Sequence, residues 1–319
     1  MFHSEFLEMT MPRAHKRFRW IGMTLWISIL SCPVGFSENS TTAEREPFSI
    51  VLLPDTQYYS EKFPETYKIQ TKWIRANAIT KNIKFVIHLG DIVQNRHERE
   101  TEWYIARYAH KLLDGVVPYS VAPGNHDMVV EPRDTSLFNK YFPSSDYDFW
   151  DWYGGNFGDK NDSNYCFFNA AGMSFLILNL EYAPGDDVLA WANTIVEKYK
   201  HHRTIVATHH YLRPGGRGEV GERMWNTFVK NHKNIFLVVC GHVGALTLQN
   251  SINDAGNMVY EILTDYQGME NGGNGWLRIL TFTPDKNVIE VQEYSPLLKQ
   301  SRRAISHNYR LYYDMRNAN

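Results

Sequence analysis

Short apolar runs alternate with amphipathic segments along the first half of the chain. Phe48–Leu53 and residues 83–89 are largely apolar runs of strand length, and each is followed directly by polar residues. Residues 66–82 and 98–114 carry apolar side chains at helical spacing, and Gly115 follows the second of these segments. A short apolar run predicts a buried strand, whereas spacing of three to four residues predicts an amphipathic helix. The pattern therefore predicts strands that alternate with helices, as in α/β proteins.

The same alternation continues toward the C-terminus. Further strands are predicted at 116–122, 165–169, 173–180, 204–208 and 235–240, and further helices at 186–198 and 221–232. Three later runs, at 258–263, 276–282 and 288–294, predict strands with no helix between them. We therefore predict one domain over residues 47–296 and a C-terminal tail over 297–319.

One long stretch, from 128 to about 164, lacks this periodicity and is predicted as an irregular loop. Its segment 142–157 is rich in aromatic residues. Loops of this length inside a domain are usually functional. The aromatic side chains either pack beneath a lid or stack on a nucleobase or sugar, and the packing interpretation is favoured.

The first 37 residues have the organisation of a secretory signal peptide. A basic stretch over residues 13–19 precedes an apolar run over residues 20–30, and small and turn-forming residues follow as far as Ser37. This apolar run is short for a membrane-spanning helix, which needs about 20 residues. We expect residues 1–37 to be cleaved, 38–46 to form a short linker, and the protein to be exported (secreted or periplasmic) without a stable membrane span. An uncleaved anchor and a lipoprotein attached at Cys32 remain open, as does a start at Met9 or Met11.

Composition narrows the classes of function. The chain has 33 Lys and Arg residues against 35 Asp and Glu, so it lacks the basic excess of a general nucleic-acid binder. Three cysteines are too few for a disulfide scaffold in a chain of 319 residues. Cys166 and Cys240 lie in apolar or aromatic runs, and we predict that both are free thiols in the core. These features leave the oligomeric state open.

Polar residues with metal-binding side chains follow five of the predicted strands. They are Asp55, Asp91, Asn125-His126-Asp127, His209 and His242. Ligands of α/β sheets bind at the carboxyl ends of the strands, so the fold is expected to bring these residues together. Carboxylate, amide and imidazole groups in one place suit a divalent transition metal better than calcium, which prefers oxygen ligands.

The order and spacing of these motifs resemble the calcineurin-like metallophosphoesterases. The motifs that carry the resemblance are Asp55-Thr56-Gln57, Gly90-Asp91, Gly124-Asn125-His126-Asp127, Thr208-His209 and Gly241-His242. The resemblance implies an αββα sandwich of two mixed β-sheets flanked by helices, within the α/β (α+β) class. It also implies hydrolysis of phosphoesters, either monoesters or diesters, with one or two divalent ions (Mn, Fe or Zn) and a small-molecule phosphoester as substrate.

The resemblance further implies a role for each matched residue. Asp91, Asn125, His209 and His242 would hold one metal, and Asp91 would bridge to a second metal that Asp55 also binds. A metal-bound hydroxide would attack phosphorus. His126 would protonate the leaving group and Asp127 would fix its tautomer, although a plain turn or helix-cap role for Asp127 stays open.

Two departures from the family pattern fall on the second metal. Gln57 stands where the family usually has His, and Gly244 stands where the last motif usually has its second His. Gln57 could coordinate through its amide oxygen, whereas Gly244 offers no side chain. We expect a weaker site that favours harder ions such as Mn²⁺ or Mg²⁺, with Asp265 or Gln267 as a replacement ligand. The alternative is a degenerate, non-catalytic member of the fold that binds a ligand or partner.

Four other residues are weaker candidates. His88 is expected to pack beside the site, and His210 to face either substrate or solvent. Residues 215–218 are expected to form a flexible rim loop, from which Arg217 or the neighbouring Arg213 could contact a substrate anion.

Overall fold

The computed structural model describes residues 45–96, 98–304 and 307–316. The predicted signal peptide (1–37), most of the linker (38–46) and Cys32 lie outside the described residues. Within the described part, no helix is both long enough and apolar enough to cross a membrane.

The described strands fall into two large sheets and one small hairpin. They are β1 (Phe48–Leu53), β2 (Ile83–His88), β3 (Tyr119–Ser120), β4 (Tyr153–Asn156), β5 (Asn164–Ala170), β6 (Met173–Leu180), β7 (Arg203–Thr208), β8 (Leu212–Arg213), β9 (Gly216–Arg217), β10 (Ile235–Cys240), β11 (Leu246–Ile252), β12 (Met258–Thr264), β13 (Leu277–Thr283), β14 (Val288–Ser295), β15 (Gln300–Ser301) and β16 (Tyr309–Tyr312). The α-helices are α1 (Gln57–Glu61), α2 (Pro64–Asn77), α3 (Glu100–Lys111), α4 (Ser136–Tyr141), α5 (Asp186–Lys198) and α6 (Glu219–Thr227).

Both large sheets are mixed. The first has the strand order β15-β14-β13-β1-β2-β3, and β16 also pairs with β14. Its β1, β2 and β3 are parallel to one another, whereas β13 is antiparallel to β1. The second sheet has the order β11-β12-β10-β7-β6-β5-β4, in which β12, β10, β7 and β6 are parallel. The parallel strands of each sheet therefore end at one edge.

Alternation along each strand builds a four-layer sandwich. In β1, Ile50 and Leu52 lie in the core between the two sheets, whereas Val51 and Leu53 pack against α2 and α3. The second sheet has the same organisation, with its outer face covered by α5 and α6. All four of these β1 side chains are fully buried, which explains the unbroken apolar run in the sequence. The expected αββα sandwich is confirmed.

The stretch predicted as irregular contains regular structure. It holds α4, β4 and a single 3₁₀ turn at Ser144–Asp146. Phe142 and Tyr147 are buried in the core beneath the first sheet. The aromatic residues there mainly pack, as favoured, although Phe149 remains exposed. The loop prediction was wrong because short elements of four to six residues leave too little periodicity to detect.

The C-terminal boundary at 296 also needs correction. β16 adds to the first sheet beside β14, with Leu311 opposite Ile289. Leu311 and Met315 are buried in the core between the sheets. In addition, the buried carboxylate of Glu293 in β14 contacts His307, which lies 3.2 Å away. Residues 309–315 are therefore part of the domain rather than a separate tail.

One strand was missed, and the state of the two core cysteines agrees with the prediction. The strand β11 was not predicted. Its side chains are exposed or only half-buried, so its sequence contains no apolar run. Cys166 and Cys240 are free and buried, as predicted.

Candidate metal centre

The candidate site lies where parallel strands of both sheets end. Asp55, Asp91 and Asn125 follow β1, β2 and β3 of the first sheet. His209 follows β7 of the second sheet directly, and Gly241 alone separates His242 from the end of β10. The structure therefore brings together residues that are 187 positions apart in sequence, such as Asp55 and His242.

His209 is at the centre of a cluster of nitrogen and oxygen donors. Its Nε2 lies 3.2 Å from Asp91 Oδ2, 3.1 Å from Asn125 Oδ1 and 3.2 Å from His242 Nδ1. Ligand atoms of Asp91, His209 and His242 all lie within 4.8 Å of one another. Donor atoms of Asp91, Asn125 and His242 therefore all lie within 3.2 Å of His209 Nε2.

The orientation of His209 suits metal binding. Its Nδ1 lies 2.8 Å from the carbonyl oxygen of Leu89 and donates to it, which leaves the lone pair of Nε2 directed at the cluster. Burial lowers the pKa of His209, but the adjacent Asp91 carboxylate outweighs it and the net shift is upward. Burial, together with the neighbouring His209 and His210, lowers the pKa of His242 to about 4, so this imidazole is neutral at pH 7.

Glycines in the motifs make room for these side chains. A Cβ on Gly124 would lie 2.2 Å from Asp91 Oδ1, and a Cβ on Gly241 would lie 2.2 Å from Asp55 Oδ2. Real Cβ atoms do not approach other atoms so closely, so any side chain at these positions displaces a carboxylate. The glycines of the motifs are therefore steric requirements of the site.

Three of the site residues have a left-handed backbone. The φ angles are 39° for Asp55, 51° for Asp91 and 77° for His242. Such values are uncommon outside glycine. Residues held in them cluster at functional sites, where the surrounding fold maintains the conformation.

The second half of the site contains oxygen atoms without partners. Asp55 Oδ1 accepts the backbone N–H of His242 at 3.0 Å, whereas Asp55 Oδ2 has no hydrogen-bond partner. Gln57 Nε2 donates to Asp91 Oδ2 at 3.2 Å and to the amide oxygen of Gln267, which leaves Gln57 Oε1 without a partner. Both side chains are buried. Buried polar atoms without partners are rare and require an explanation.

A third carboxylate, that of Asp265, approaches from the end of β12. It accepts the backbone N–H of Gln267 at 2.7 Å and the side-chain amide of Gln267 at 2.9 Å. Burial, and then repulsion from Asp265 and Asp91, raises the pKa of Asp55 well above its usual range. Burial likewise raises the pKa of Asp265 to about 6. Buried carboxylates that repel one another are stabilised either by protonation, which the raised pKa values favour, or by a bound cation.

The donor set therefore fits divalent metal binding. Asp91, Asn125, His209 and His242 supply a mixed nitrogen and oxygen set, with the tautomer of His209 fixed by Leu89. Gly244 offers no side chain, and a Cβ at this position would have no atom within 4 Å apart from its chain neighbours.

His126 lies beside this donor set and is half-buried. Its backbone N–H donates to Asp91 Oδ1 at 2.9 Å. Its Nδ1 lies 3.1 Å from the carbonyl oxygen of Gln94 and donates to it. The partner that fixes the tautomer is thus a backbone carbonyl, which sequence reasoning did not identify because no side-chain pattern marks it.

The expected role of Asp127 is corrected by the structure. Its carboxylate accepts backbone N–H groups of Ile92 (2.8 Å), Val93 (2.9 Å) and Gly124 (2.8 Å), and it is buried. None of its described hydrogen bonds is to His126. Asp127 therefore joins the loops after β2 and β3, which is the turn role left open above. Burial raises its pKa to about 7, and the three N–H donors oppose that shift.

His88 and Arg217 both have structural partners near the site. His88 is buried, accepts the N–H of Gly90 and contacts Thr56 Oγ1 at 2.9 Å, so it supports the loop beside the site. Arg217 is paired with the buried Glu261 at 2.7 Å, and residues 212–217 form the β8–β9 hairpin rather than a flexible loop. Arg217 is therefore not available to a substrate anion.

Sequence reasoning missed Tyr182 at the rim of the site. Its ring stacks on His210 with centroids 5.7 Å apart and an angle of 11°, and it lies 5.5 Å from the ring of His242. His210 thus faces an aromatic wall of the site. The available signal was the position of Tyr182, two residues after the end of β6.

Comparisons with known proteins agree with this geometry. Residues 48–245 match the model of the family described as calcineurin-like phosphoesterase. The uncharacterized protein YvnB of Bacillus subtilis (strain 168) is 33% identical over 263 residues, which cover 80% of this chain but 20% of that protein. The chain thus spans about a fifth of the length of this relative. The crystal structure of a dimetal phosphatase from Danio rerio aligns with 12% identity and a TM-score of 0.52, covering 84% of this chain and all of that one. Members of this family bind divalent metals. The chain belongs to the calcineurin-like phosphoesterase family.

Proposed function

We propose that this protein hydrolyses small-molecule phosphoesters, either monoesters or diesters, with the help of a bound divalent cation. The observation that carries the proposal is the convergence of Asp91, Asn125, His209 and His242 on one point with His126 beside them. The leader-like pattern of residues 1–37 supports export as the setting of this activity.

The four donors would hold the cation. When bound, a divalent cation supplies positive charge to the phosphoryl oxygens and lowers the pKa of a coordinated water. His209 lies between Asn125 and Asp91, and its Nε2 is within 3.2 Å of both side chains. The site thus has its ligands arranged before any substrate binds.

His126 would supply a proton to the leaving group. Because Nδ1 donates to the carbonyl of Gln94, the remaining nitrogen, Nε2, is the one free to hold and transfer a proton. The backbone N–H of His126 donates to Asp91, which ties the position of this imidazole to the donor set. General acids positioned in this way contribute about 10²–10⁴-fold to rate.

The test is hydrolysis of an aryl phosphate monoester and an aryl phosphate diester, each with added Mn²⁺, Zn²⁺ or Fe²⁺. We expect turnover of at least one ester. His126→Ala is expected to lower kcat by about 10²–10⁴-fold and to leave the metal content unchanged. His201→Ala, at an exposed position in the turn before β7, is the matched control and is expected to leave kcat unchanged.

A second candidate function is a binding protein without turnover. The hydrogen-bonded amides of Gln57 and Gln267 in the second half of the site favour this alternative. Absence of turnover with every metal and both esters, from a protein that still binds metal, would support it over the hydrolase.

A further inference from the structure

Two aromatic side chains lie next to each other at the rim of the candidate metal centre. The ring of Tyr182 is nearly parallel to that of His210, with an angle of 11° between the planes and 5.7 Å between the centroids. Parallel rings at this separation are offset rather than overlaid, so together they cover a wider surface than either ring alone. We name this pair the aromatic wall.

The aromatic wall adjoins two imidazoles of the donor set. The ring centroid of His242 lies 4.4 Å from that of His210 and 5.5 Å from that of Tyr182. The ring centroid of His209 lies 6.0 Å from that of Tyr182. A group bound at the donor set is therefore a direct neighbour of the wall.

The backbone of Tyr182 is held from two directions. Its N–H donates to the carbonyl oxygen of Pro123 at 2.9 Å, two residues before Asn125. Its carbonyl oxygen accepts the guanidinium of Arg133 at 2.7 Å, and Arg133 also pairs with Glu181 at 3.2 Å. These contacts fix the backbone of Tyr182 before a ligand binds, which lowers the entropy cost of contacts with the wall.

The two rings of the aromatic wall reach the protein surface. Tyr182 and His210 are both half-buried, whereas the donors Asp91 and His209 are buried. The next residue in the chain, Tyr211, shows how a tyrosine of the core differs, since it is 0% exposed. The wall therefore lines the mouth of the site rather than its interior.

An aromatic surface at the mouth of a phosphoester site favours one class of substrate. Contacts between aromatic rings are stronger than the burial of their area alone explains. We propose that Tyr182 and His210 select phosphoesters that carry an aromatic ring next to the phosphoryl group over those with an aliphatic group there. This inference rests on the proposed function, because it assigns a substrate class to the same site.

Two phosphonates that differ only in their ring test the inference without turnover. Phenylphosphonate and cyclohexylphosphonate carry the same charged group, and neither contains an ester bond to hydrolyse. Titration calorimetry with the Mn²⁺-loaded protein is expected to show that phenylphosphonate binds about 2- to 10-fold more tightly. The hydrophobic effect alone predicts no such preference, because the aliphatic ring offers at least as much apolar surface.

Substitutions of Tyr182 test whether the wall is the source of this preference. Tyr182→Leu keeps an apolar side chain but removes the ring, and it is expected to abolish the preference and leave the metal content unchanged. Tyr182→Phe keeps the ring and is expected to retain the preference. Tyr312→Leu is the matched control, since Tyr312 lies in β16 and is 72% exposed, and it is expected to bind both phosphonates as the unaltered protein does.

The outcomes separate this inference from the proposed function. Equal binding of the two phosphonates by the unaltered protein, or binding of neither, would overturn the inference, and this measurement does not depend on the folding of any variant. An unchanged preference in Tyr182→Leu would overturn it as well. A preference for phenylphosphonate in a protein that hydrolyses no ester would overturn the hydrolase and leave the aromatic wall intact.

Discussion

The reassignment of Asp127 can be tested by removing its carboxylate. Asp127→Ala leaves the N–H groups of Ile92, Val93 and Gly124 buried without an acceptor. Each unsatisfied donor costs about 1–3 kcal/mol, and since the three share one acceptor the costs overlap. We expect the free energy of unfolding to fall by about 4 kcal/mol.

The measurement is urea denaturation followed by tryptophan fluorescence. A chelator is present throughout, because metal that binds only the folded state adds to apparent stability. Asp254→Ala serves as the control, since this aspartate is exposed in a turn, and its expected change is within about 0.5 kcal/mol. The sequence-based role gives the opposite result: if Asp127 oriented His126, kcat and its pH profile would change and stability would not. A loss below about 1 kcal/mol with such a kinetic change would refute the structural role.

Three further predictions follow from other parts of the fold. Gly124→Ala places a Cβ 2.2 Å from Asp91 Oδ1 and is expected to weaken metal binding by roughly tenfold or more. Gly244→Ala is the control, because open space surrounds its Cβ, and it is expected to leave metal binding unchanged. Titration calorimetry with Mn²⁺ measures both affinities. Burial lowers the pKa of His110 from 6.5 to about 3. As the pH falls, this histidine therefore binds a proton in the unfolded chain before it does so in the folded chain. The free energy of unfolding is expected to decrease by about 2–3 kcal/mol between pH 6.5 and 4.5. Urea titrations of His110→Phe would show a smaller decrease over that interval, and an identical decrease would contradict the assignment. Leu311→Ala is expected to cost about 2–4 kcal/mol in the same urea assay, since this side chain is 2% exposed, and a cost near zero would return residues 309–315 to a tail.

Much of the fold could be predicted because its signals are local. The strand β10 and the helix α5 have the bounds that the sequence predicts. A continuous apolar run marks the first, and helical spacing of apolar residues marks the second. The positions of Asp91, His209 and His242 were predictable for a related reason. Each lies within three residues of the end of a strand, and parallel strands bring their carboxyl ends to one edge.

The remaining features depend on contacts between distant segments. The strand β16 has four residues, of which Leu311 alone is buried, so its pairing with β14 leaves almost no sequence pattern. Asp127 and His126 are adjacent in sequence, yet the partners of their side chains are backbone groups of the loops after β2 and β3. Backbone partners carry no residue identity, so sequence reasoning assigned the two side chains to each other.

The left-handed backbone at Asp55, Asp91 and His242 has a consequence for how this protein can change over evolutionary time. At each of these positions glycine would adopt the observed φ without the steric cost of about 1–2 kcal/mol that a Cβ imposes. Glycine at any of them would remove a side chain that the site uses. At these three positions, selection for higher folding stability therefore opposes selection for an intact site. Substitution of any of the three by glycine is therefore expected to relieve backbone strain and, in the same step, to remove a donor from the candidate metal centre.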